Sequence, residues 1–262
     1  MKKAMIFAAG LGTRLKPITD SIPKAMLPIA GKPLLQHQLE KLRDAGLEEI
    51  VINVHHFPEQ IVSFCREHHD FGLQIHFSDE TAQLLETGGG LRKAKDLLRP
   101  DEEPILVCNV DILSNIDIAA LIRSHTPERL ATIVVSARKT QRYFLFNRNG
   151  ELRGWTNIAS GELRPASLRL ENPLPPSANV YFPLTDVCDT ELFPLAFSGM
   201  QIVSPRIFDV MAPYPEKFSI TDFYLDQSAS AAIHAFVPTD YRMMDIGKID
   251  HLQEAEAFAL SL

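Results

Sequence analysis

Apolar and polar positions alternate in blocks along the first half of the chain. Short apolar runs near Lys3–Ala8, Glu49–Val54, Leu73–Phe77, Ile105–Cys108 and Ala131–Ser136 read as strands. Between them, segments near Leu34–Asp44, Glu59–His68, Leu91–Leu97 and Ile118–Ser124 read as helices. Pro33 stands where a first helical residue belongs, and Gly46 lies just past the end of that helix. Strands that alternate with helices at this spacing predict a mainly parallel sheet covered on both faces. Such sheets bind ligands beyond the carboxyl ends of their strands.

The rhythm changes after about residue 138. Phe144–Phe146 and Glu151–Trp155 flank Asn149-Gly150, a hairpin-turn signal. From Arg164 to Pro194, prolines at 165, 173, 175, 176, 183 and 194 leave no clear period, which reads as an irregular excursion rimming the site. A strand over Leu195–Val203, a helix near Asp222–Ile233, a short strand leading to Met243–Ile246 and an acidic helix near His251–Leu260 complete the pattern. The expectation is one α/β domain over residues 1–262. It is three-layered around a central, mainly parallel mixed sheet, with an added hairpin and a loop-rich sugar-binding part. Residues 1–138 form one half and residues 139–262 the other.

Composition narrows the function. A chain of 262 residues with 45% hydrophobic content can bury a sizeable core. A net charge of −7 argues against a broad nucleic-acid or anionic-membrane surface. No apolar run approaches the roughly 18 residues of a membrane span. The apolar start covers only Ala4 to Ala9, so it reads as a strand rather than a signal peptide. Cys65, Cys108 and Cys188 are odd in number and set among apolar residues, as reduced core thiols of a cytoplasmic protein would be. His55-His56 and His68-His69 lack a cysteine or acid at ligand spacing and read as helix-end and surface histidines.

Charge is distributed unevenly. Residues Met1–Lys32 carry +5, which leaves −12 for the remaining 230 residues. Positive charge focused at the end of a first strand suggests a compact anionic ligand such as a nucleoside triphosphate. The glycines of this stretch, Gly10 and Gly12, do not form a dinucleotide fingerprint, because position 15 is Leu and Pro17 and Pro23 interrupt any following helix. No Gly-Lys-Ser/Thr occurs, which excludes the P-loop pattern. A long loop whose backbone N–H groups cradle phosphates fits better, with Arg14 and Lys24 supplying charge. Asp111 follows the apolar run ILVCN, and Asp245 follows YRMM. Two acids so placed suit a Mg²⁺ clamp completed by substrate phosphates. Glu86-Thr87-Gly88-Gly89-Gly90, before a helix, offers close backbone approach to a base or ribose.

The segment AAGLGTRLKPITDSIPKAMLPIAGKPLL closely resembles the signature of the sugar-1-phosphate nucleotidyltransferases. The resemblance continues in family order through Glu86–Gly90, Asn109-Val110-Asp111, Phe197-Ser198-Gly199 and Asp245-Ile246-Gly247. The glutamate before the glycine run is most similar to N-acetylmuramate-1-phosphate uridylyltransferases, with mannose- and heptose-1-phosphate guanylyltransferases as near relatives. The resemblance implies a Rossmann-like nucleotide-diphospho-sugar transferase fold and a Mg²⁺-dependent reaction of an NTP with a sugar 1-phosphate. It implies that Arg14 neutralises the departing pyrophosphate and Lys24 bridges the reacting phosphates, while Asp111 and Asp245 hold the metal. Ala8, Ala9, Gly10, Gly12, Thr13 and Arg14 would wrap the nucleotide, with Glu80, Gly88 and Gly89 near the nucleoside. Asn109, Ser198 and Gly199 would line the sugar side.

Glu80 reads equally well as a solvated loop acid. The family shows Gly where this chain has Val110; if a positive φ is needed there, valine strains the metal acid, and if only room is needed, valine trims the sugar pocket. We favour the second. Glu171-Asn172-Pro173 lacks the lysine of the family's sugar-side motif. A choline-phosphate cytidylyltransferase shares the N-terminal signature, and its cation would need an aromatic or acidic box for which Trp155 and Tyr181 are the only hints. A non-catalytic nucleotide-sugar-binding regulator is the remaining alternative. The expected partners are NTP and sugar 1-phosphate, with no nucleic acid and no membrane, for a monomer or dimer.

Overall fold

Side chains alternate across β1 (Lys3–Phe7) and so feed two cores at once. Ala4 and Ile6 enter one buried cluster and Met5 the other. The computed structural model describes residues 1–99, 103–168, 184–185 and 191–262. After β1 come three 3₁₀ turns (Thr13–Leu15, Ile18–Asp20, Lys24–Met26), then β2 (Pro28–Ile29), β3 (Lys32–Pro33), α1 (Leu34–Asp44) and β4 (Glu49–Val54). Next are α2 (Pro58–Glu67), β5 (Gln74–Asp79), α3 (Glu86–Lys93), α4 (Lys95–Leu98), β6 (Ile105–Asn109), β7 (Ile112–Ser114) and α5 (Ile118–Ser124). The second half holds β8 (Ala131–Ser136), β9 (Arg142–Phe146), β10 (Leu152–Asn157), β11 (Glu162–Arg164), β12 (Leu184–Thr185) and β13 (Glu191–Val203). It ends with α6 (Ile207–Met211), α7 (Ile220–Gln227), β14 (Ile233–Phe236), β15 (Met243–Asp245) and α8 (Leu252–Leu260).

The mixed α/β sheet expected from the alternation is present. β6-β1-β4-β5 are parallel, and β13 joins them antiparallel through β6. β13 continues into β8 and into the β9-β10-β11 meander, so one 11-stranded sheet runs through both halves. Period-two alternation repeats in β6, where Leu106 and Cys108 join the first core while Ile105 and Val107 join the second. Leu35, Leu39 and Leu42 of α1 and Ile61 and Cys65 of α2 cover the first face. Leu91 of α3, Phe208 of α6 and Phe223 of α7 cover the second. Three layers result from strands that are apolar on both sides.

Three expectations need correction. Pro33 precedes α1 as its cap rather than opening it, and it is Pro58 that occupies the first turn of α2. The helix expected at Leu91 starts at Glu86, so the glycine run lies inside it. The helix expected to reach Ile233 ends at Gln227, and Ile233 opens a strand parallel to β8. There, Ser228 Oγ bonds the Leu225 carbonyl at 2.8 Å, turning a last-turn acceptor away from helix propagation. Gly46 does sit past α1 with φ 84°, as a helix stop requires. Most of the proline-rich stretch, with Glu171-Asn172-Pro173, Tyr181 and Cys188, lies outside the described residues.

Candidate active site

A buried carboxylate organises the first loop. The backbone N–H groups of Ala8 and Ala9 both donate to Asn53 Oδ1, at 2.7 and 3.3 Å. Asn53 Nδ2 in turn donates to Glu80 Oε1 at 2.7 Å, and Glu80 Oε2 accepts from the N–H of Leu85 at 3.0 Å. Glu80 is fully buried, so it is not the solvated loop acid that its sequence context allowed. Two donors compensate a carboxylate there. Gly90 makes the room, since a Cβ at that position would lie 2.7 Å from Glu80 Oε1.

The loop that follows is shaped by Gly12. Its φ of 62° is left-handed, and a Cβ there would lie 2.8 Å from Thr19 Cγ2. Buried Thr19 donates its hydroxyl to the Gly12 carbonyl at 2.9 Å. Gly10 faces open space, and a Cβ there would meet nothing within 4 Å. Lys16 is spent on an ion pair with Asp20 at 2.8 Å. Arg14 and Lys24 therefore carry the loop's charge toward the cleft.

Lys24 is buried and bonded to Asp111 Oδ2. Asp111 follows β6 and precedes β7, which pairs antiparallel with β15 so that Ile112 faces Asp245. The N–H of Ile246 donates to the Asp111 carbonyl at 2.9 Å and clamps the two acid-bearing segments together. Asp245 is held above its ordinary value by lost hydration and by the Asp111 charge, with Lys24, Arg14 and Arg138 pulling in the other direction. Gly247 lets Arg14 come close, because a Cβ there would lie 3.0 Å from both Arg14 Nη2 and Asp245 Oδ1. Two carboxylates brought together in this way give hard oxygen donors of the kind Mg²⁺ takes. Among the described residues no cluster of three or more metal-ligating side chains forms, so substrate phosphates and water would complete the shell.

One cleft of about 320 Å³ gathers Ala8, Ala9, Gly10, Gly12, Thr13, Arg14, Lys24, Glu80, Asn109 and Asp111. Gly247 lines its edge beside Asp245. Gly88 and Gly89 do not line it. Their N–H groups donate to the Phe218 carbonyl at 2.9 and 3.1 Å, and added Cβ atoms would collide with Phe218 and with the Glu216 carbonyl. These glycines serve helix packing in α3. Ser198 is also withdrawn, buried with its hydroxyl 3.4 Å from that of Ser136. Gly199, at φ 70°, seats Asn109, whose Nδ2 would lie 3.1 Å from a Cβ there. Val110 lines the cleft without a positive φ, so the strain reading falls and the space-filling one stands.

Asn53, which did not stand out in the sequence, and Glu86, which opens the glycine-run motif, also line the cleft. Asn53 is the one polar residue inside the run EIVINV after Glu49, a signal that could have found it. Glu86 has φ 62°, a left-handed position rare for a side-chain-bearing residue. His55 and His56 meet the backbone carbonyls of Glu80 and Thr19, and His68 meets that of Phe64 at the end of α2. Trp155 lies under the Arg164 guanidinium at 5.4 Å, so that ring face already holds a cation.

The family described as nucleotidyl transferase matches residues 3–146. An N-acetylmuramate alpha-1-phosphate uridylyltransferase of Caulobacter vibrioides is 39% identical over 53% of this chain and 60% of its own length. A UTP–glucose-1-phosphate uridylyltransferase of Synechocystis is 29% identical over 99% of this chain and 63% of its own. The chain thus spans under two thirds of the length of these curated relatives. HddC from Yersinia pseudotuberculosis, solved with GMP-PN, superposes with a TM-score of 0.72 at 22% identity, covering 98% of this chain and 99% of HddC. On its matched residues and the signature loop they contain, this chain belongs to the nucleotidyl transferase family.

Proposed function

We propose that this chain transfers a nucleoside monophosphate from an NTP to a sugar 1-phosphate, giving an NDP-sugar and pyrophosphate. The substrate pair is UTP with an amino-sugar 1-phosphate or GTP with mannose or heptose 1-phosphate. The meeting of Lys24, Asp111, Asp245 and Arg14 at one end of a glycine-floored cleft carries this reading.

A phosphate oxygen of the sugar attacks the α-phosphorus in line; a new P–O bond forms while the bond to pyrophosphate breaks. No protein nucleophile is needed, so the chain contributes positioning and charge neutralisation. Lys24, held by Asp111, bridges the α-phosphate and the attacking phosphate. Arg14 receives the departing pyrophosphate. The Asn53–Glu80 pair fixes the Ala8–Ala9 backbone against which the nucleotide lies. Mg²⁺ held by Asp111 and Asp245 would supply further neutralisation of phosphate charge. Cys65 and Cys108 are free and buried, which fits work in the cytoplasm.

A pyrophosphate-release screen tests this reading, with four NTPs against a panel of sugar 1-phosphates and Mg²⁺ present. Release with at least one pair, abolished by EDTA and restored by Mg²⁺, is expected. Silence across the panel, or release only with choline phosphate, overturns it.

A further inference from the structure

The strands that carry the two acids stand apart from the main sheet. β7 and β15 form a two-stranded ribbon of three residues each. Its base is fixed where the Val110 N–H donates to the Phe7 carbonyl at the end of β1, at 3.1 Å. Across the ribbon, the Ile246 N–H donates to the Asp111 carbonyl at 2.9 Å and the Asn115 N–H to the Arg242 carbonyl at 3.1 Å. Asp111 and Asn115 therefore turn their backbone groups toward β15. Strand alternation then turns the carbonyls of Ile112 and Ser114 away from it. So short a ribbon needs support from elsewhere, since an isolated two-stranded pair is marginal in water.

Helix α1 meets that outer edge with two side chains. Gln38 Nε2 donates to the Ile112 carbonyl at 2.5 Å. Lys41, one turn along the same helix face, donates from Nζ to the Ser114 carbonyl at 2.6 Å and to Ser114 Oγ at 2.9 Å. Both outward carbonyls of β7 are thus received by α1 rather than by another strand. Ile112, which Gln38 holds, follows Asp111 directly and pairs with Asp245 across the ribbon.

Packing alone does not account for either residue. Gln38 is 1% exposed beside Leu35 and Leu42 of the first core, and its Oε1 accepts no hydrogen bond among the described residues. Lys41 has no ion-pair partner among the described residues, and lost hydration pushes its ammonium down to about 8. An orphaned amide oxygen and a dehydrated cation without a counter-charge both cost stability. An apolar side chain would fill either position, but it could not donate to β7.

We propose that Gln38 and Lys41 are positioning residues: by holding the outer edge of β7 they set the separation of Asp111 and Asp245, and with it the affinity of the site for Mg²⁺. The inference rests on the reading of these acids as metal holders in a nucleotidyl-transfer reaction. Neither side chain lines the nucleotide cleft, so each acts through the ribbon. Mg²⁺ demands near-octahedral oxygen geometry, and a ribbon free to shift at its outer edge no longer presents it. The nucleotide's own seat is different, because the Ala8–Ala9 backbone is held by Asn53 of β4 and not by α1.

Gln38→Met and Lys41→Met each remove the donors while keeping an unbranched side chain. Electron paramagnetic resonance of Mn²⁺, added as the probe to the intact protein with each NTP in turn, reads metal affinity directly. Calorimetric titration of the NTPs in EDTA reads nucleotide binding without metal, and thermal melts check folding. Mn²⁺ binding weaker by about tenfold or more is expected in each variant, the usual effect of removing a group that supports metal ligands, with nucleotide affinity in EDTA unchanged. Unchanged Mn²⁺ affinity in a folded variant overturns the inference. So does a parallel loss of nucleotide affinity in EDTA, which marks general loosening of the fold. Gln38→Met, which also removes the orphaned oxygen, decides the matter if Lys41→Met fails to fold. Pyrophosphate release separates the two readings. Release by the parent with an equal Mg²⁺ half-saturation in both variants overturns the positioning role alone. Mn²⁺ binding that depends on Gln38 and Lys41, without release from any NTP and sugar 1-phosphate pair, upholds the positioning role and overturns the transfer reaction.

Discussion

Lys24 donates a hydrogen bond from Nζ to Oδ2 of Asp111, although 87 residues separate them in the chain. The pair joins the end of the glycine-bearing loop to the carboxyl edge of β6, so the cation and the acid are fixed relative to one another before any substrate arrives. On the proposed chemistry, Lys24→Ala lowers turnover by about 10²–10³-fold, the usual effect of removing one preorganised charge from a transition state. Asp111→Asn does the same and weakens Mg²⁺ binding. Steady-state kinetics with a circular-dichroism check of folding measures both, and near-normal turnover in either variant refutes the assigned role.

Asp245 titrates in a direction that can be read as stability. Lost hydration and the neighbouring Asp111 raise it above the ordinary 3.8, so the folded chain keeps this proton to higher pH than the unfolded chain does. Its contribution is full below 3.8 and is lost as pH rises through the raised value. Asp245→Asn removes the ionised, repelled form and therefore raises the melting temperature of the metal-free protein at neutral pH. The gain shrinks as pH falls into the acid range. Mg²⁺ affinity moves oppositely: it declines on acidification at a higher pH than an ordinary aspartate would give, and the variant loses it. Thermal melts with and without Mg²⁺ across pH check both signs.

Asn53 is the hinge of a buried polar network. Asn53→Ala leaves Glu80 Oε1 and the Ala8 and Ala9 N–H groups without their partner, at a cost of about 1–3 kcal/mol per orphaned buried group. Urea unfolding should show that loss, and the KM for the NTP should rise because the loop backbone is no longer held. A variant as stable as the parent, with unchanged KM, contradicts the network's role.

Gly89 supports packing between α3 and the segment before α7. A Cβ at Gly89 would lie 2.3 Å from the Glu216 carbonyl, a backbone atom that cannot swing aside. Gly89→Ala should cost about 1–3 kcal/mol through overpacking. Denaturant midpoints measure it, and a change within experimental error would make Gly89 a candidate nucleoside contact again.

Much of the architecture is legible in the sequence, and particular residues show why. Ile50–Ile52 and Ile133–Val135 are apolar on consecutive positions because helices cover both faces of the sheet. The end of α7 is not legible, because Ala231, Ala232 and Ile233 extend an apolar pattern that periodicity cannot distinguish from helix, whereas β8 offers a pairing edge that only the folded chain contains. The packing of Gly88 and Gly89 is hidden for a related reason. A glycine that admits a ligand and a glycine that admits Phe218 look identical in one dimension.

By itself the sequence determined the alternation of strands and helices, the presence of a glycine-bearing loop after the first strand, and the residue types that phosphate chemistry requires. Local conformation and short-range spacing suffice for these, since each depends on neighbours a few positions away. Tertiary structure decided that Glu80 is buried on Asn53 and that Lys24 belongs to Asp111. Those pairings join residues tens of positions apart. They follow from sheet register and from which acids are already paired elsewhere, and neither exists until the chain has folded.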